Sequence, residues 1–321
     1  MYPARADQSW SPEMWDAING QLNDHHYDLV QLFGGVQVYE YRELVRHLPN
    51  LIVPYEAYSL FLERLLTQQV QPWQRAAVWL QLQVARAYER RMYVEYDGVV
   101  VLSETDAETL KMLQPTLPLH VIPNGIDTEY FKPSGSATPE PSTLLFVGNY
   151  EYAPNVDAAL HLVHEIFPLV QEAIPQARLC LVGNAPPASL SALANSHIEV
   201  TGRVPDVRPY LERATLVISP LRLGAGIKNK ILEAMAMTKS IVATPLSCEG
   251  IGLVEGAHVL FGTSSAELAA AAIRLVNNSE LRVTMGIANR QLIERSYTWQ
   301  HVAERYEALY AGIIAAHHSS S

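Results

Sequence analysis

Cysteine, long apolar runs and positive charge are all scarce in this sequence, and each scarcity excludes a class of protein. The two cysteines, Cys180 and Cys248, are too few for a disulfide framework and form no metal-binding pattern. No apolar run approaches the ~18 residues that span a bilayer, and the first residues lack the apolar segment of a signal peptide. Acidic residues outnumber basic ones by 33 to 23, which argues against a general nucleic-acid binder. We therefore expect a cytoplasmic protein that binds anions only through a local basic site.

The rest of the composition is that of a globular protein with an ample core. Hydrophobic residues make up 49% of the 321 residues, and the mean hydropathy is +0.02. This length is enough for two domains of ordinary size. The stretch FKPSGSATPEPST, rich in proline, glycine and serine, predicts an interdomain linker. We divide the chain into a first domain at 1–135, a linker at 136–143, a second domain at 144–296 and a final helix at 297–321.

The first domain contains short apolar runs and longer segments with helical spacing. Four runs predict strands: Asp28–Phe33, Leu51–Val53, Gly98–Leu102 and His120–Pro123. Three segments predict helices: Ser11–Leu22, a long region from Tyr58 to Tyr93 that breaks near Pro72, and Glu104–Leu113.

The second domain repeats strand and helix with little else between them. The predicted strands are Leu144–Val147, Leu179–Val182, Ile198–Thr201, Leu216–Ser219, Ile241–Thr244 and Val259–Phe261. The predicted helices are Asn155–Ala173, Pro187–Asn195, Val207–Arg213, Asn229–Met237 and Ser265–Val276, followed by Glu280–Arg295 and Trp299–Ile314. This alternation predicts a parallel sheet with helices on both faces.

One stretch of the second domain, Thr215–Thr244, carries the strongest signal. Its sequence TLVISP, LRLGAGIKNK, ILEAMAMTK and SIVAT predicts a strand, a glycine loop, a helix and another strand. The free backbone N–H groups of such a loop and the positive end of the helix dipole favour phosphate. Lys228 and Lys230 add positive charge where the dipole disfavours it, which indicates a nearby anion. The alternative is a pair of solvated lysines.

The loops that follow the predicted strands share a high glycine content. Ligands of parallel sheets bind at the carboxyl ends of the strands, where glycine lets the backbone approach closely. Five strand ends together indicate one crevice: Gly148 to Tyr150, Gly183 and Asn184, Gly202 and Arg203, Pro220 to Gly226, and Pro245 to Gly250.

These features resemble glycosyltransferase family 4, the group 1 glycosyltransferases, which are retaining enzymes of the GT-B fold. The resemblance extends over nearly the whole chain and is strongest in IPNGIDTEYFKP, FVGNYEYAPNVDAAL, VTGRVPDVRPYLERA and PLRLGAGIKNKILEAMAM. It implies an α/β protein of two Rossmann-like domains that face a cleft, with the acceptor on the first domain and the nucleotide sugar on the second. It also implies that the last helix crosses back onto the first domain.

The resemblance also implies roles for individual residues. Lys228 and Lys230 match basic residues that neutralise the diphosphate leaving group, an electrostatic contribution to catalysis, and Glu233 matches a glutamate that holds the donor ribose. Further positions match the donor site: Gly148, Asn149, Tyr150, Gly202, Arg203, Val204, Gly224, Gly226 and Ile227. Three of these readings have structural alternatives: Glu233 as a helix-surface residue, an ion pair between Arg203 and Asp206, and Tyr150 or Tyr152 as plain loop aromatics.

Several positions depart from the family pattern. Ala225 stands where the family has the first glutamate of its E-x7-E motif, so recognition of the donor sugar must differ or use the backbone of Gly226 and Ile227. On the acceptor side, Tyr55 and Glu56 align with a family segment that usually reads His followed by Asp or Asn. Tyrosine is a poor proton shuttle because its ordinary pKa is about 10. After the helix, Thr238 and Ser240 replace the family's glycine and proline.

The start of the first domain departs most. Family members open with a strand, a glycine-rich loop and a helix, and nothing before Asp28 has that pattern. We expect the first domain to lack its opening strands, through an internal gene start, a reduced domain or a second chain that completes it. A sheet without those strands exposes an apolar edge.

Two functional hypotheses follow from these residues. In the first, the chain moves a hexose from a nucleoside-diphosphate sugar to a hydroxyl of a polysaccharide, lipid or small molecule. It needs no metal or other cofactor, because the Asp-x-Asp signature is absent and the lysines supply positive charge. In the second, it is a non-catalytic nucleotide-sugar-binding remnant, or a subunit that works with a partner. A GT-B epimerase is the nearest enzyme alternative. Nucleic acid is not an expected partner, whereas peripheral membrane contact, a homo-oligomer and a completing chain stay open.

Overall fold

The computed structural model describes residues 11–34, 38, 41–54, 56–68, 71–135, 137–138 and 140–320. It divides into two compact units. The first consists of Met1–Pro123 together with Val302–Ser321, and the second of Asn124–His301.

The described part of the first unit contains a four-stranded parallel sheet. Its elements in chain order are α1 (Pro12–Asp24), β1 (Val30–Phe33), α2 (Arg42–Val45), β2 (Asn50–Val53), α3 (Tyr58–Gln68), α4 (Pro72–Met92), β3 (Gly98–Val101), α5 (Glu104–Leu113) and β4 (Leu119–Val121). The strands pair in the order β1-β2-β3-β4, and β2 and β3 are fully buried. All four predicted strands are confirmed. The expectation that opening strands are missing stays a prediction, since residues 1–10 lie outside the described part.

Local sequence signals account for the helix boundaries in this unit. The Ser11 side chain accepts a hydrogen bond from the backbone N–H of Met14 at the start of α1. The Ser103 hydroxyl accepts one from Asp106 N–H at the start of α5. Both are N-caps of the usual kind. Pro72 occupies the first turn of α4, where its missing N–H has no cost, so the helical region breaks there as predicted.

The second unit contains a six-stranded parallel sheet flanked by helices. Its strands are β5 (Thr143–Val147), β6 (Arg178–Val182), β7 (Ile198–Val200), β8 (Leu216–Ser219), β9 (Ile241–Ala243) and β10 (Leu260–Phe261). Its helices are α6 (Ala153–His161), α7 (Phe167–Ala173), α8 (Ala188–Ser191), α9 (Arg208–Arg213), α10 (Asn229–Ala236), α11 (Ser265–Asn277) and α12 (Ser279–Ser296), and α13 (Trp299–Ser320) follows them. The predicted strands and their parallel pairing are confirmed.

The strand order of this sheet, β10-β9-β8-β5-β6-β7, reverses direction between β5 and β8. The chain builds outward from β5 through β6 to β7, then returns to the other side of β5 and builds outward again through β9 to β10. A crevice opens above the carboxyl ends of two strands at such a reversal, and ligands of doubly wound sheets bind there. The fold therefore singles out the loops after β5 and β8.

The helix predicted at Asn155–Ala173 is instead interrupted. A π-helical turn at Leu162–Ile166 separates α6 from α7. Pro168 lies at the start of α7, where it has no N–H for the preceding turn and its ring crowds the carbonyl four residues earlier. A single π-helical turn, which is wider than an α-helical one, accommodates both the missing N–H and the proline ring.

The boundary between the units lies before residue 124, upstream of the linker predicted at 136–143. Ile126 forms a parallel bridge with Thr298, and the guanidinium of Arg290 donates to the carbonyls of Thr128 and Phe131. These contacts hold residues 124–131 within the second unit. In the other direction, Val302 and Ile313 of α13 pack in one apolar cluster with Leu51, Val53, Val100 and Ile122 of the first unit.

The end of α10 explains how the chain accommodates Thr238 in place of the family's glycine. Lys239 N–H donates to Ala234 carbonyl and Thr238 N–H to Met235 carbonyl, which is the hydrogen-bond pattern of a Schellman motif. The residue after the helix cap must then be left-handed, and Thr238 has φ of +55°. A β-branched residue in this conformation is strained by roughly 1–2 kcal/mol.

We predict that Thr238→Gly raises the free energy of unfolding by about 1 kcal/mol, because glycine adopts positive φ without the clash of Cβ. Urea unfolding of the two proteins measures the difference. Thr238→Ala is the control, since alanine keeps Cβ and should give little gain. Equal stabilisation by alanine and glycine would contradict a backbone origin of the strain.

Candidate functional site

The candidate site lies at the carboxyl edge of the second sheet, where the loops after β5, β6, β7 and β8 converge with the start of α10. The predicted donor residues Gly148, Asn149 and Tyr150 follow β5, Gly202 follows β7, and Gly224 to Lys228 connect β8 with α10. Whether these residues bind a donor stays a prediction, but the fold places them on one edge of one sheet.

Close backbone approach fixes the first two of these loops. Gly148 N–H donates to Val182 carbonyl at 2.9 Å, and Tyr150 N–H donates to Asn184 carbonyl at 2.9 Å. A Cβ on Gly183 would lie 1.6 Å from the Gly148 carbonyl oxygen, so only glycine fits there. The loops after β5 and β6 are therefore fixed relative to each other.

A chain of polar contacts joins α10 to the loop after β5. The Lys230 ammonium donates to Asn155 Oδ1 at 2.5 Å, and Asn155 Nδ2 donates to the Asn149 carbonyl at 2.7 Å. The same ammonium lies 4.4 Å from the centre of the Phe146 ring. Lys230 thus sits at the β5/β8 reversal. Asn155 is buried and was missed by the sequence analysis; an amide within the otherwise apolar start of a helix was its only signal.

The environment of Lys230 disfavours its charge. Burial, with a smaller contribution from the charge of Lys228, lowers the pKa of Lys230 to about 7, while Glu233 acts in the opposite direction. The described hydrogen-bond partner of this ammonium is a neutral amide and its other close neighbour is an aromatic ring. A ligand that carries negative charge would therefore be stabilised here.

Lys228 is buried, and its ammonium turns back onto its own loop. It donates to the carbonyls of Ala225, at 3.0 Å, and of Gly226. Gly226 has φ of +66°, the left-handed conformation that brings these carbonyls inward. No described side chain caps the first turn of α10, which begins directly after Lys228. The Lys228 ammonium is therefore held by its own loop, directly before the uncapped first turn of α10.

Glu233 lies one turn further along α10, half-buried, near Lys230. Burial raises the pKa of Glu233, and the charge of Lys230 partly opposes this. The structure thus brings together Lys228, Lys230 and Glu233, the three residues with predicted catalytic roles.

Two further contacts fix the second side of the crevice. Arg222, in the loop after β8, forms an ion pair of 2.7 Å with Asp157 on α6. Asn124 Nδ2 donates to Asn229 Oδ1 at 2.9 Å, at the first residue of α10. Both sides of the β5/β8 reversal are therefore held in place by side chains as well as backbone.

The alternatives left open for Arg203 and Tyr150 have different outcomes. Asp206 forms a bidentate ion pair of 2.7 Å with Arg208. The alternative that Arg203 pairs with Asp206 is therefore wrong. Arg203 is exposed and Val204 half-buried. Tyr150 is buried against Phe146, so it serves as a core aromatic at this loop, and burial raises the pKa of its hydroxyl.

The acceptor-side residues belong to the first unit. Tyr55 lies outside the described residues, and Glu56 is half-buried directly before α3. The start of α3 is held by two buried carboxylates that the sequence analysis missed. Asp106 accepts from Ala57 N–H at 2.9 Å and Glu89 from Ser59 N–H at 3.1 Å. These two side chains position the segment that contains Glu56.

Burial raises the pKa of Glu89 to about 7. The hydroxyl and N–H of Ser59 and the N–H of Tyr58 favour the ionised form, whereas the nearby Asp106 charge adds to the increase. Glu89 is fully buried, so protonation near neutral pH relieves a desolvated charge.

Among the described residues, no helix has both the length and the apolar character needed to cross a membrane. No group of three or more His, Cys, Asp or Glu residues that could hold a metal ion occurs in the described ranges.

Solved structures with a similar fold are glycosyltransferases. Sucrose-phosphate synthase from Thermosynechococcus elongatus matches 95% of this chain and 78% of its own length with a TM-score of 0.76 and 18% identity. A glycosyltransferase from Rickettsia africae matches 95% and 83%, with a TM-score of 0.71 and 14% identity. Anabaena HepE, solved in complex with UDP and glucose, matches 97% and 83%, with a TM-score of 0.70 and 14% identity. The chain has the GT-B fold of these enzymes.

Family profiles match both halves of the chain. The profile for Glycosyltransferase Family 4 matches residues 1–130, and the profile for Glycosyl transferases group 1 matches residues 141–278. The chain belongs to the group 1 glycosyltransferases of family 4.

Similar sequences fall into short and long matches. The chain spans about a third of a 44.6 kDa protein of the cps region of Klebsiella pneumoniae, with 25% identity over 126 residues, 36% of this chain and 32% of that protein. Alpha-maltose-1-phosphate synthase of Mycolicibacterium smegmatis is 26% identical over 310 residues, 86% of this chain and 78% of that enzyme. A GDP-mannose-dependent phosphatidylinositol monomannoside mannosyltransferase of Mycobacterium tuberculosis is 25% identical over 263 residues, 74% of this chain and 68% of that enzyme.

We predict that Glu89→Gln removes a decrease of stability with rising pH. The folded protein binds a proton at Glu89 up to pH of about 7, whereas the unfolded chain releases it near 4.5. Wild-type stability should therefore fall as pH rises from about 4.5 to 7, by at most roughly 3 kcal/mol. Glutamine keeps an oxygen acceptor for Ser59 N–H and cannot ionise. Urea unfolding at several pH values measures both curves.

The control for this prediction is Glu108→Gln on the exposed face of α5. Its stability should run parallel to that of the wild type at every pH. A Glu89→Gln curve that is also parallel to wild type would show that Glu89 keeps its charge in the folded protein.

Proposed function

We propose that this chain is a retaining, metal-independent glycosyltransferase. It moves a hexose from a nucleoside-diphosphate sugar to a hydroxyl acceptor in the cytoplasm, in the assembly of a polysaccharide or glycolipid. Family membership supports a glycosyl-transfer reaction, and retention of configuration is inferred from the resemblance to the family.

The observation that carries the proposal is Lys230 at the β5/β8 reversal. Its half-buried ammonium donates to a neutral amide beside a phenylalanine ring, and desolvation lowers its pKa to about 7. The start of α10, which has no described side-chain cap, and its positive dipole end adjoin it. A diphosphate fits both features, since it accepts hydrogen bonds from the helix start and restores the charge of the lysine.

The same geometry suggests how the reaction would be assisted. As the bond between the anomeric carbon and the diphosphate oxygen breaks, negative charge grows on the departing phosphate. Lys230 and the start of α10 would stabilise that charge, which is the kind of fixed electrostatic contribution that lowers barriers most. A new bond forms between the anomeric carbon and the acceptor oxygen, and the acceptor hydroxyl passes its proton to the departing diphosphate. Glu233 would accept hydrogen bonds from the ribose hydroxyls.

The identity of the donor is open among several nucleotides. The mannosyltransferase relative is GDP-mannose-dependent, and HepE was solved with UDP and glucose. These names support a nucleotide sugar as donor and leave the base undecided.

A second candidate function is a nucleotide-sugar-binding subunit without turnover of its own. Ala225 favours it, because this residue replaces a family glutamate that contacts the donor sugar. In the structure Ala225 is buried, and its carbonyl accepts a hydrogen bond from Lys228. Its methyl group cannot replace the missing hydrogen bonds, so the sugar would rely on backbone groups of Gly226 and Ile227.

We predict that nucleoside-diphosphate binding takes up a proton through Lys230. A bound diphosphate raises the pKa of Lys230 from about 7, so affinity should fall as pH rises from about 7.5 to 9. Calorimetric titration with UDP, GDP and ADP in two buffers of different ionisation enthalpy measures the proton uptake. Lys230→Met should abolish the uptake and weaken binding by about tenfold or more.

Lys239→Met is the matched control for that titration. The ammonium of Lys239 donates to the carbonyls of Glu212 and Ala214, and burial lowers its pKa to about 8. Lys239 lies at the other end of α10, so its loss should leave nucleotide affinity and proton uptake unchanged. Proton uptake that persists in Lys230→Met would contradict the assignment.

We predict that Glu233→Gln lowers kcat/KM for donor hydrolysis or transfer by roughly tenfold, because a neutral amide holds two ribose hydroxyls less tightly than a carboxylate. Release of free nucleoside diphosphate measures turnover. The exposed Glu172→Gln, on α7, should keep wild-type activity. Tight nucleotide binding without turnover on every acceptor tested would favour the subunit hypothesis.

A further inference from the structure

Helix α4 of the first unit carries apolar residues on two faces. On one face, Val78, Leu82 and Ala85 are buried in a cluster with Leu62 of α3. On the opposite face, Trp73, Leu80 and Val84 are exposed by 70%, 60% and 54%. A helix that is apolar on both faces is ordinarily covered on both.

The exposed residues form one continuous stripe. Trp73, Leu80 and Val84 are seven and four residues apart, so they point the same way and extend about 16 Å along the helix. Trp79 flanks the stripe and is 54% exposed. Ala76 and Ala77 lie between Trp73 and Leu80 along the helix, Ala87 lies beyond Val84, and all three are exposed. The result is an apolar band with two tryptophans.

The charges that border the band are positive. Arg91 lies in line with the stripe, whereas Arg75 and Arg90 lie on the side of the helix that carries Trp79. All three are exposed, and none forms an ion pair with another described residue. A fourth arginine, Arg86, pairs with Glu63 of α3 at 2.5 Å. The single carboxylate of α4, Glu89, is fully buried on the other face. The exposed face is thus cationic in a chain whose net charge is −10.

We propose that this face of α4 docks on an anionic lipid surface. Tryptophan and leucine enter the boundary between headgroups and acyl chains, and the arginines contact the lipid phosphates, which is how interfacial amphipathic helices bind. A second copy of the chain complements the band less well, because it brings the same arginines and no exposed carboxylate on this helix. The docking goes beyond the transfer reaction proposed above and does not depend on it.

Co-sedimentation with vesicles tests the docking. We expect the wild-type protein to bind vesicles of phosphatidylcholine with about one third phosphatidylglycerol, and to bind pure phosphatidylcholine far more weakly. Binding should shift tryptophan emission to the blue. The variant with Trp73→Ser and Leu80→Ser should lose binding. Arg90→Gln and Arg91→Gln should each weaken it by about fivefold, and added salt should weaken it further.

Matched controls come from α5 of the same unit. Met112, which is 78% exposed, and Lys111, also exposed, allow Met112→Ser and Lys111→Gln to remove similar groups from another surface. Both variants should bind as the wild type does. All variants should keep their thermal unfolding temperature and their affinity for nucleoside diphosphate, so a failed docking experiment stays separate from a failed donor site.

Three results would overturn the docking. The first is a wild-type protein that does not bind the anionic vesicles. The second is equal binding to neutral vesicles, or binding that the serine variant retains. The third is a wild-type dimer in sedimentation equilibrium that the serine variant converts to monomer, since the band would then be covered by a second copy.

Discussion

The contact between the Lys230 ammonium and Asn155 is the interaction on which the candidate site depends. It joins α10 to the loop after β5 across the point where the strand order reverses. When Lys230 is charged, the contact holds a half-buried ammonium on a neutral partner, an unfavourable arrangement that folded proteins keep at functional sites. A bound diphosphate removes this cost. The environment of Lys230 therefore lowers the stability of the unliganded protein and raises its affinity for a diphosphate.

The backbone conformation of the loops around this contact restricts which residues can occupy them. Gly183 has no room for a Cβ against the Gly148 carbonyl, and Gly226 needs a left-handed conformation to turn its carbonyl toward Lys228. Arg222 and Asp157 hold the opposite side. In the first unit the buried carboxylates of Glu89 and Asp106 do the equivalent work for the start of α3. In each unit, ionisable side chains removed from solvent hold a loop in position.

Much of this architecture could be predicted from the sequence, because parallel strands and amphipathic helices have strong local patterns. The strands of both sheets and the break before Pro72 were confirmed. Long-range partners leave no such pattern. Nothing near Asn155 in sequence indicates that Lys230, 75 residues away, binds it. The π turn before Pro168 and the left-handed Thr238 follow from local hydrogen-bond geometry that residue propensities alone do not specify. The alternative ion pair between Arg203 and Asp206 is wrong because Arg208, two residues from Asp206, takes that carboxylate with bidentate geometry.

The central claim is that the β5/β8 reversal, at the start of α10, is a diphosphate site. A crystal structure of the protein soaked with UDP or GDP tests it most directly. We expect the terminal phosphate within hydrogen-bonding distance of the Lys230 ammonium and of backbone N–H groups at the start of α10, with the ribose hydroxyls on Glu233. A nucleotide bound elsewhere on the chain, with Lys230 still on Asn155 and no phosphate at the helix start, would contradict the claim.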